Sequence, residues 1–108
     1  MITSGHINFN SVINTGKILT SKHYKLYYLQ NANKKCRLGI SLPKAVIPKA
    51  HDRNRLKRLI RHTVAELKYE SIDVVFLLNK NLAQYSINDD MNVREHLLKD
   101  IKTILLDI

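Results

Sequence analysis

The stretch Arg53-Asn54-Arg55-Leu56-Lys57-Arg58-Leu59-Ile60-Arg61-His62-Thr63-Val64-Ala65-Glu66-Leu67 separates apolar and cationic residues at a helical period. On a wheel of about 100° per residue with Arg53 at zero, Leu56, Leu59, Ile60, Thr63, Val64 and Leu67 span about 240° round to about 20°. Asn54, Arg55, Lys57, Arg58, Arg61 and His62 fill about 40° to about 200°. The pattern predicts a helix from Arg53 to about Lys68, with Asp52 as N-cap, packed on a sheet by one face and cationic on the other. No acid lies between residues 53 and 62, so like charges repel at i, i+3 and i, i+4 spacing, at about a few tenths of a kcal/mol per pair. An anionic partner relieves that repulsion, and arginine's planar fork suits phosphate.

Upstream, Pro43 and Pro48 punctuate a loop over 43–50. Before it, Cys36 to Leu42 alternates, with Cys36, Leu38, Ile40 and Leu42 on one side. His23 to Gln30 alternates too, with Tyr24, Leu26 and Tyr28 opposite Lys25, Tyr27 and Leu29. Two such runs around the polar segment 30–35 predict a β-hairpin. Asn8 to Thr15 reads as a short helix, its Phe9, Val12 and Ile13 on one face and Gly16 at the C-cap. Downstream, Ile72 to Leu78 is a near-continuous apolar run, as expected of a strand covered on both faces. After a loop over 79–88, Asp89 to Leu106 forms a second amphipathic helix with a stripe of Leu97, Leu98, Ile101, Ile104 and Leu105. Asp89 and Asp90 sit where its dipole favours acids. The order is α-β-β-α-β-α, an α+β two-layer sandwich, read as one domain over 1–108.

The charge is divided along the chain. Its 108 residues hold 18 Lys+Arg and 9 Asp+Glu, a net charge of +9. Residues 1–65 carry 13 of the cations and one acid, Asp52, and residues 66–108 carry 5 cations and 8 acids. The first part is +12 and the second −3. Soluble surfaces usually mix signs, so the segregation points to a polyanion-binding face, with nucleic acid the leading partner. Met1 to Asn10 has neither a basic nor an apolar leader pattern, and no apolar run approaches the roughly 18 residues of a membrane span. A cytoplasmic protein is expected, and the lone Cys36 fits a reducing compartment and a core position. The five histidines are scattered without metal-ligand spacing, so no metal site is expected on the chain. Asp73 is the lone acid of its strand and is expected to cap or pair.

The segment Arg53-Asn54-Arg55-Leu56-Lys57-Arg58-Leu59-Ile60-Arg61 resembles the RNR motif of the bacterial ribonuclease P protein family. Other features resemble that family in the same order: Phe9-x-x-Val12-Ile13-x-x-Gly16, Tyr24-Lys25-Leu26-Tyr27-Tyr28, Leu38-Gly39-Ile40-Ser41 and Ile72-Asp73-Val74-Val75. The resemblance runs from about Phe9 to Leu105. It implies the ribosomal protein S5 domain 2-like fold, with a left-handed crossover joining parallel strands. It implies a partner, the catalytic RNA of ribonuclease P, with one protein per RNA. The holoenzyme would remove the 5′ leader of precursor tRNA, with the active site and its Mg²⁺ held by the RNA and no catalytic residue on the protein. Carried over by position, Arg53, Asn54, Arg55, Lys57, Arg58, Arg61, Lys44 and Lys49 would contact the RNA subunit. Phe9, Ile13 and Tyr27 would line the leader cleft between the first helix and the sheet. The chain departs from the family pattern at Ile13, where an aromatic is common, and at Ala45 after Lys44. Two other classes fit a basic helix: a non-catalytic RNA-binding module such as a ribosome-associated protein, and a double-stranded DNA binder. The Pro-containing loop before Arg53 disfavours the latter, because no helix precedes the basic one.

Overall fold

In chain order the elements are α1 (Phe9–Thr15), β1 (Lys17–Thr20), β2 (Tyr24–Gln30), β3 (Arg37–Ser41), α2 (Ala50–Val64), β4 (Ile72–Leu78) and α3 (Asp90–Asp107). Single 3₁₀ turns follow α2 at Ala65–Leu67 and precede α3 at Ile87–Asp89. The computed structural model describes residues 7–32, 34–82 and 84–108. Residues 1–6, where no leader pattern was read, lie outside them, as do positions 33 and 83 of the two loops.

The four strands lie in the order β1-β2-β4-β3. β4 is antiparallel to β2 and parallel to β3, with α2 on the crossover between β3 and β4. This corrects the hairpin expected from 23–42: β2 and β3 are not neighbours, because β4 separates them. Alternation reports which face a residue occupies but not which strand lies alongside. The near-continuous apolar β4 loses most by exposure and takes an interior place, with six of its seven residues buried. The true hairpin is β1–β2, and β1 is an additional strand that makes the order α-β-β-β-α-β-α. Its four residues are mostly exposed and acquire strand geometry by pairing Lys17 with Tyr28 through Thr20 with Lys25.

One sheet face carries the main core. Tyr24, Leu26, Leu38, Val74 and Phe76 pack there with Leu56, Ile60 and Val64 of α2 and Val93, Leu97, Ile101 and Ile104 of α3. Tyr24 stacks on Phe76 with ring centroids 4.7 Å apart. Its hydroxyl donates to Asp100 Oδ2 at 2.5 Å, and that of Tyr28 to Asp107 Oδ2 at 3.1 Å, so both buried rings keep polar partners on α3. The α3 stripe includes Val93 and loses Leu105, which is exposed. Cys36 is a buried core residue, and burial pushes its thiol up to about 12.

The other face holds α1. Asn8 caps it by accepting from Ser11 N at 3.1 Å. Gly16 ends it with φ −78° and ψ 170°, so a left-handed cap is not what requires glycine there. A Cβ would fall 2.4 Å from Val12 O and 2.7 Å from Tyr28 O, where the chain turns back onto the sheet. Gly39 makes a similar allowance on β3: its absent Cβ leaves room for the Phe9 ring, whose Cζ would be 2.4 Å away.

Candidate nucleic-acid interface

α2 begins three residues earlier than expected, at Ala50, with Lys49 as N-cap and no side-chain cap. Asp52 is therefore a first-turn residue, and its carboxylate turns to Arg55. Arg55 Nη1 donates to Asp52 Oδ1 at 2.5 Å, and Nε donates to Asp90 Oδ2 at 2.8 Å from the start of α3. Tyr85 adds its hydroxyl to Asp90 Oδ1 at 2.7 Å. These bonds hold the Arg55 guanidinium protonated more firmly than usual, chiefly through Asp90 and then Asp52, while Arg55 holds the half-buried Asp52 carboxyl below its ordinary range. Arg53 also turns inward, its Nη1 donating to the carbonyls of Ile47 at 3.0 Å and Pro48 at 2.7 Å. Two of the expected RNA-contacting arginines thus pin α2 to its neighbours, and the repulsion read from 53–62 is relieved in part by Asp52 and Asp90.

The remaining cations form the outer flank. Asn54, Arg58 and Arg61 are exposed, Lys57 is half-buried, and with exposed His51 they line a shallow groove of about 390 Å³. Among the described residues no carboxylate lies within salt-bridge distance of Lys57, Arg58 or Arg61. Leu56, Ile60 and Val64 anchor the opposite side of the helix in the core, so the flank is presented on a rigid element. Lys44 and Lys49 are exposed on the connection between β3 and α2; Lys49 borders a second groove with His51 and Asp52, and Lys44 does not. His51 joins the groove of the outer flank from one turn before Asn54 and Arg55, a spacing legible in the sequence.

On the α1 side of the sheet the register sets Tyr27, Val75 and Gly39 in one row. Phe9 lies on Gly39, so the two aromatics are separated by two strand spacings, about 10 Å. The next row, Lys25, Leu77 and Ser41, opens into a groove of about 310 Å³ that Tyr27, Pro43 and Lys80 also line. Tyr27 is half-buried and lines this groove. Phe9 and Ile13 are half-buried on the same face but do not line the groove, so only one of the three expected cleft residues does. Lys25 and Lys80 supply its positive charge. The far row ends differently: Arg37 Nε and Nη2 donate to the two Asp73 oxygens at 2.7 and 2.6 Å, and Asn31 Nδ2 donates to Asp73 Oδ1 at 2.7 Å. Asp73 is the paired strand acid that was expected.

Two faces thus concentrate positive charge: a helix flank of Lys57, Arg58 and Arg61, and a sheet groove combining two lysines with an aromatic. Among the described residues no group of three or more His, Cys, Asp or Glu gathers to hold a metal ion, and no helix is long and apolar enough to cross a membrane. Residues 4–102 match the family model described as Ribonuclease P. A ribonuclease P protein component of Legionella pneumophila (strain Lens) is 33% identical over 88 residues, covering 79% of this chain and 77% of the relative. The ribonuclease P protein of Thermotoga maritima superposes with a TM-score of 0.69 at 26% identity, covering 89% of this chain and 90% of that one. That of Staphylococcus aureus superposes with a TM-score of 0.71 at 24% identity, covering 94% of each chain, and bears on the fold alone.

Proposed function

The chain belongs to the ribonuclease P protein family, and from that premise we propose that its α2 flank grips the RNA subunit while its sheet groove holds the 5′ leader of precursor tRNA. As a protein component of ribonuclease P it serves tRNA processing and partners the ribonuclease P RNA. The fold is that of the solved ribonuclease P proteins, and a ribosome-associated module is not favoured.

One observation carries the proposal: Asp52 and Asp90 are gathered on Arg55, and among the described residues no carboxylate lies within salt-bridge distance of Lys57, Arg58 or Arg61. In this reading Asn54, Lys57, Arg58 and Arg61 contact RNA phosphates directly, with Lys44 and Lys49 extending the surface. Arg53 and Arg55 act through the position of α2 and its preceding loop. Tyr27 offers a ring for a leader base, Lys25 and Lys80 take the leader phosphates, and Phe9 and Ile13 form the wall beside them. Stacking on an aromatic tolerates any base, as a leader of variable sequence requires.

Among the described residues, the acids beside the two faces do not fit a Mg²⁺ site. Asp52 and Asp90 are engaged by Arg55, and Asp73 by Arg37 and Asn31. The proposal therefore assigns Mg²⁺ and the active site to the RNA subunit. The whole chain acts as one domain, one copy per RNA, in the cytoplasm where precursor tRNA is processed. Reconstitution with the catalytic RNA of the same organism tests this. Adding the protein at low Mg²⁺ is expected to raise leader removal from precursor tRNA, and unchanged cleavage at every salt concentration overturns it.

A further inference from the structure

The cationic line does not stop at Arg61. Arg61 also lines a second open groove, of about 240 Å³, with His62, Ala65 and Lys68. This groove continues the first past the end of α2 and over the 3₁₀ turn. Next to its lining residue Lys68 stands Tyr69, which is 79% exposed. The other tyrosines are placed differently. Tyr24, Tyr28 and Tyr85 are buried with hydroxyls bonded to Asp100, Asp107 and Asp90, and Tyr27 is half-buried.

An isolated exposed apolar residue needs no explanation, but Tyr69 is coupled to the cationic line. Lys68 Nζ lies 5.1 Å from its ring centroid, a cation–π distance that leaves the opposite ring face open to water. Arg61 and His62 lie in the last turn of α2, where they also offset the helix dipole. Lys68 and Tyr69 lie beyond α2, after the 3₁₀ turn. Glu66 and Glu70 are close in sequence, yet among the described residues neither is within salt-bridge distance of Arg61, His62 or Lys68.

We propose that Tyr69, with Lys68 and Arg61, is a stacking site for one unpaired nucleotide of the RNA subunit, at the end of the α2 flank. The inference rests on the reading of that flank as the RNA-subunit interface. An unpaired base fits better than a duplex, because a paired base cannot present its plane to an exposed ring whereas a splayed one can. The base covers the open face of Tyr69 while its phosphates meet Arg61 and Lys68. The ring supplies contact area at low entropy cost, and the cations supply the salt-dependent part.

The test is binding of the chain to transcribed ribonuclease P RNA from the same organism. Tyr69→Ala is expected to weaken binding roughly 5- to 100-fold with an unchanged salt slope. Tyr69→Phe is expected to bind within about twofold of the parent, since the ring remains. The chain has no tryptophan, so Tyr69→Trp introduces a single indole whose emission is expected to be quenched in the complex. Parent-like binding by Tyr69→Ala, an equal loss in Tyr69→Phe, or unchanged indole emission would each overturn the stacking site. If Arg58→Ala also binds like the parent, the failure lies with the α2 reading itself. Tyr69 is exposed, so circular dichroism is expected to show all three variants folded.

Discussion

Arg55 and Arg58 lie on the same helix, three residues apart, and do opposite things. Arg55 is 21% exposed and closed between Asp52 and Asp90. Arg58 is exposed and borders a groove lined by further cations and His51. The inner flank of α2 uses its positive charge to hold α2 against α3, and the outer flank presents its charge to solvent. A count of cations in a motif is therefore not a count of available charges. What decides availability is whether the fold brings a carboxylate to each one.

The sharpest way to break this contrast is to remove the outer charges. Arg58→Ala with Arg61→Ala is expected to lower the slope of log affinity against log salt by about 1.4–1.8, at about 0.7–0.9 per lost phosphate contact. An unchanged slope in a salt titration of RNA binding would move the contact off this flank. The inner flank should respond in the opposite sense. Arg55→Ala leaves Asp90 without its guanidinium and is expected to cost about 1–2 kcal/mol of stability in urea unfolding. Its salt slope should change by less than about 0.5. A full unit of slope lost with stability intact would make Arg55 a phosphate ligand after all.

The sheet face extends the comparison to a site where aromatic area matters more than charge. Tyr27→Ala is expected to reduce the preference for precursor over mature tRNA several-fold while RNA-subunit affinity holds, read by parallel binding of the two substrates. Equal loss for both would remove Tyr27 from the leader groove. Acid supplies the smallest effect. Arg55 holds the Asp52 carboxyl below its unfolded value. The stability it contributes is present above the ordinary carboxylate range and is lost as pH falls through the lowered folded value. Asp52→Asn should remove that part of the acid dependence, and urea midpoints between about pH 2 and pH 6 will read it, as a slight shift because water screens the half-buried Asp52.

Periodicity located α1, β2, β3, α2, β4 and α3 because each has enough residues to repeat its pattern. Lys17–Thr20 is too short to do so, and it becomes a strand only beside β2. The Cys36–Leu42 alternation showed which side of β3 is buried, but nothing in it excluded β2 as its neighbour. The cationic helix face was readable from 53–62 alone. Its division into inner and outer flanks was not, since Asp90 is 35 residues from Arg55. The sheet groove was legible only at Tyr27, because Lys25 and Lys80 meet there through the pairing of β2 with β4.

By itself the sequence determined a basic α+β chain with its positive charge in the first 65 residues and an amphipathic helix at the centre of that charge. Those properties follow from composition and short-range spacing, which no tertiary contact can alter. Only the tertiary structure decided that β4 lies between β2 and β3, that Arg53 and Arg55 are occupied, and that Lys57, Arg58 and Arg61 remain open. Each depends on groups far apart in the chain meeting at hydrogen-bonding distance, and such meetings are settled by how the strands and helices pack.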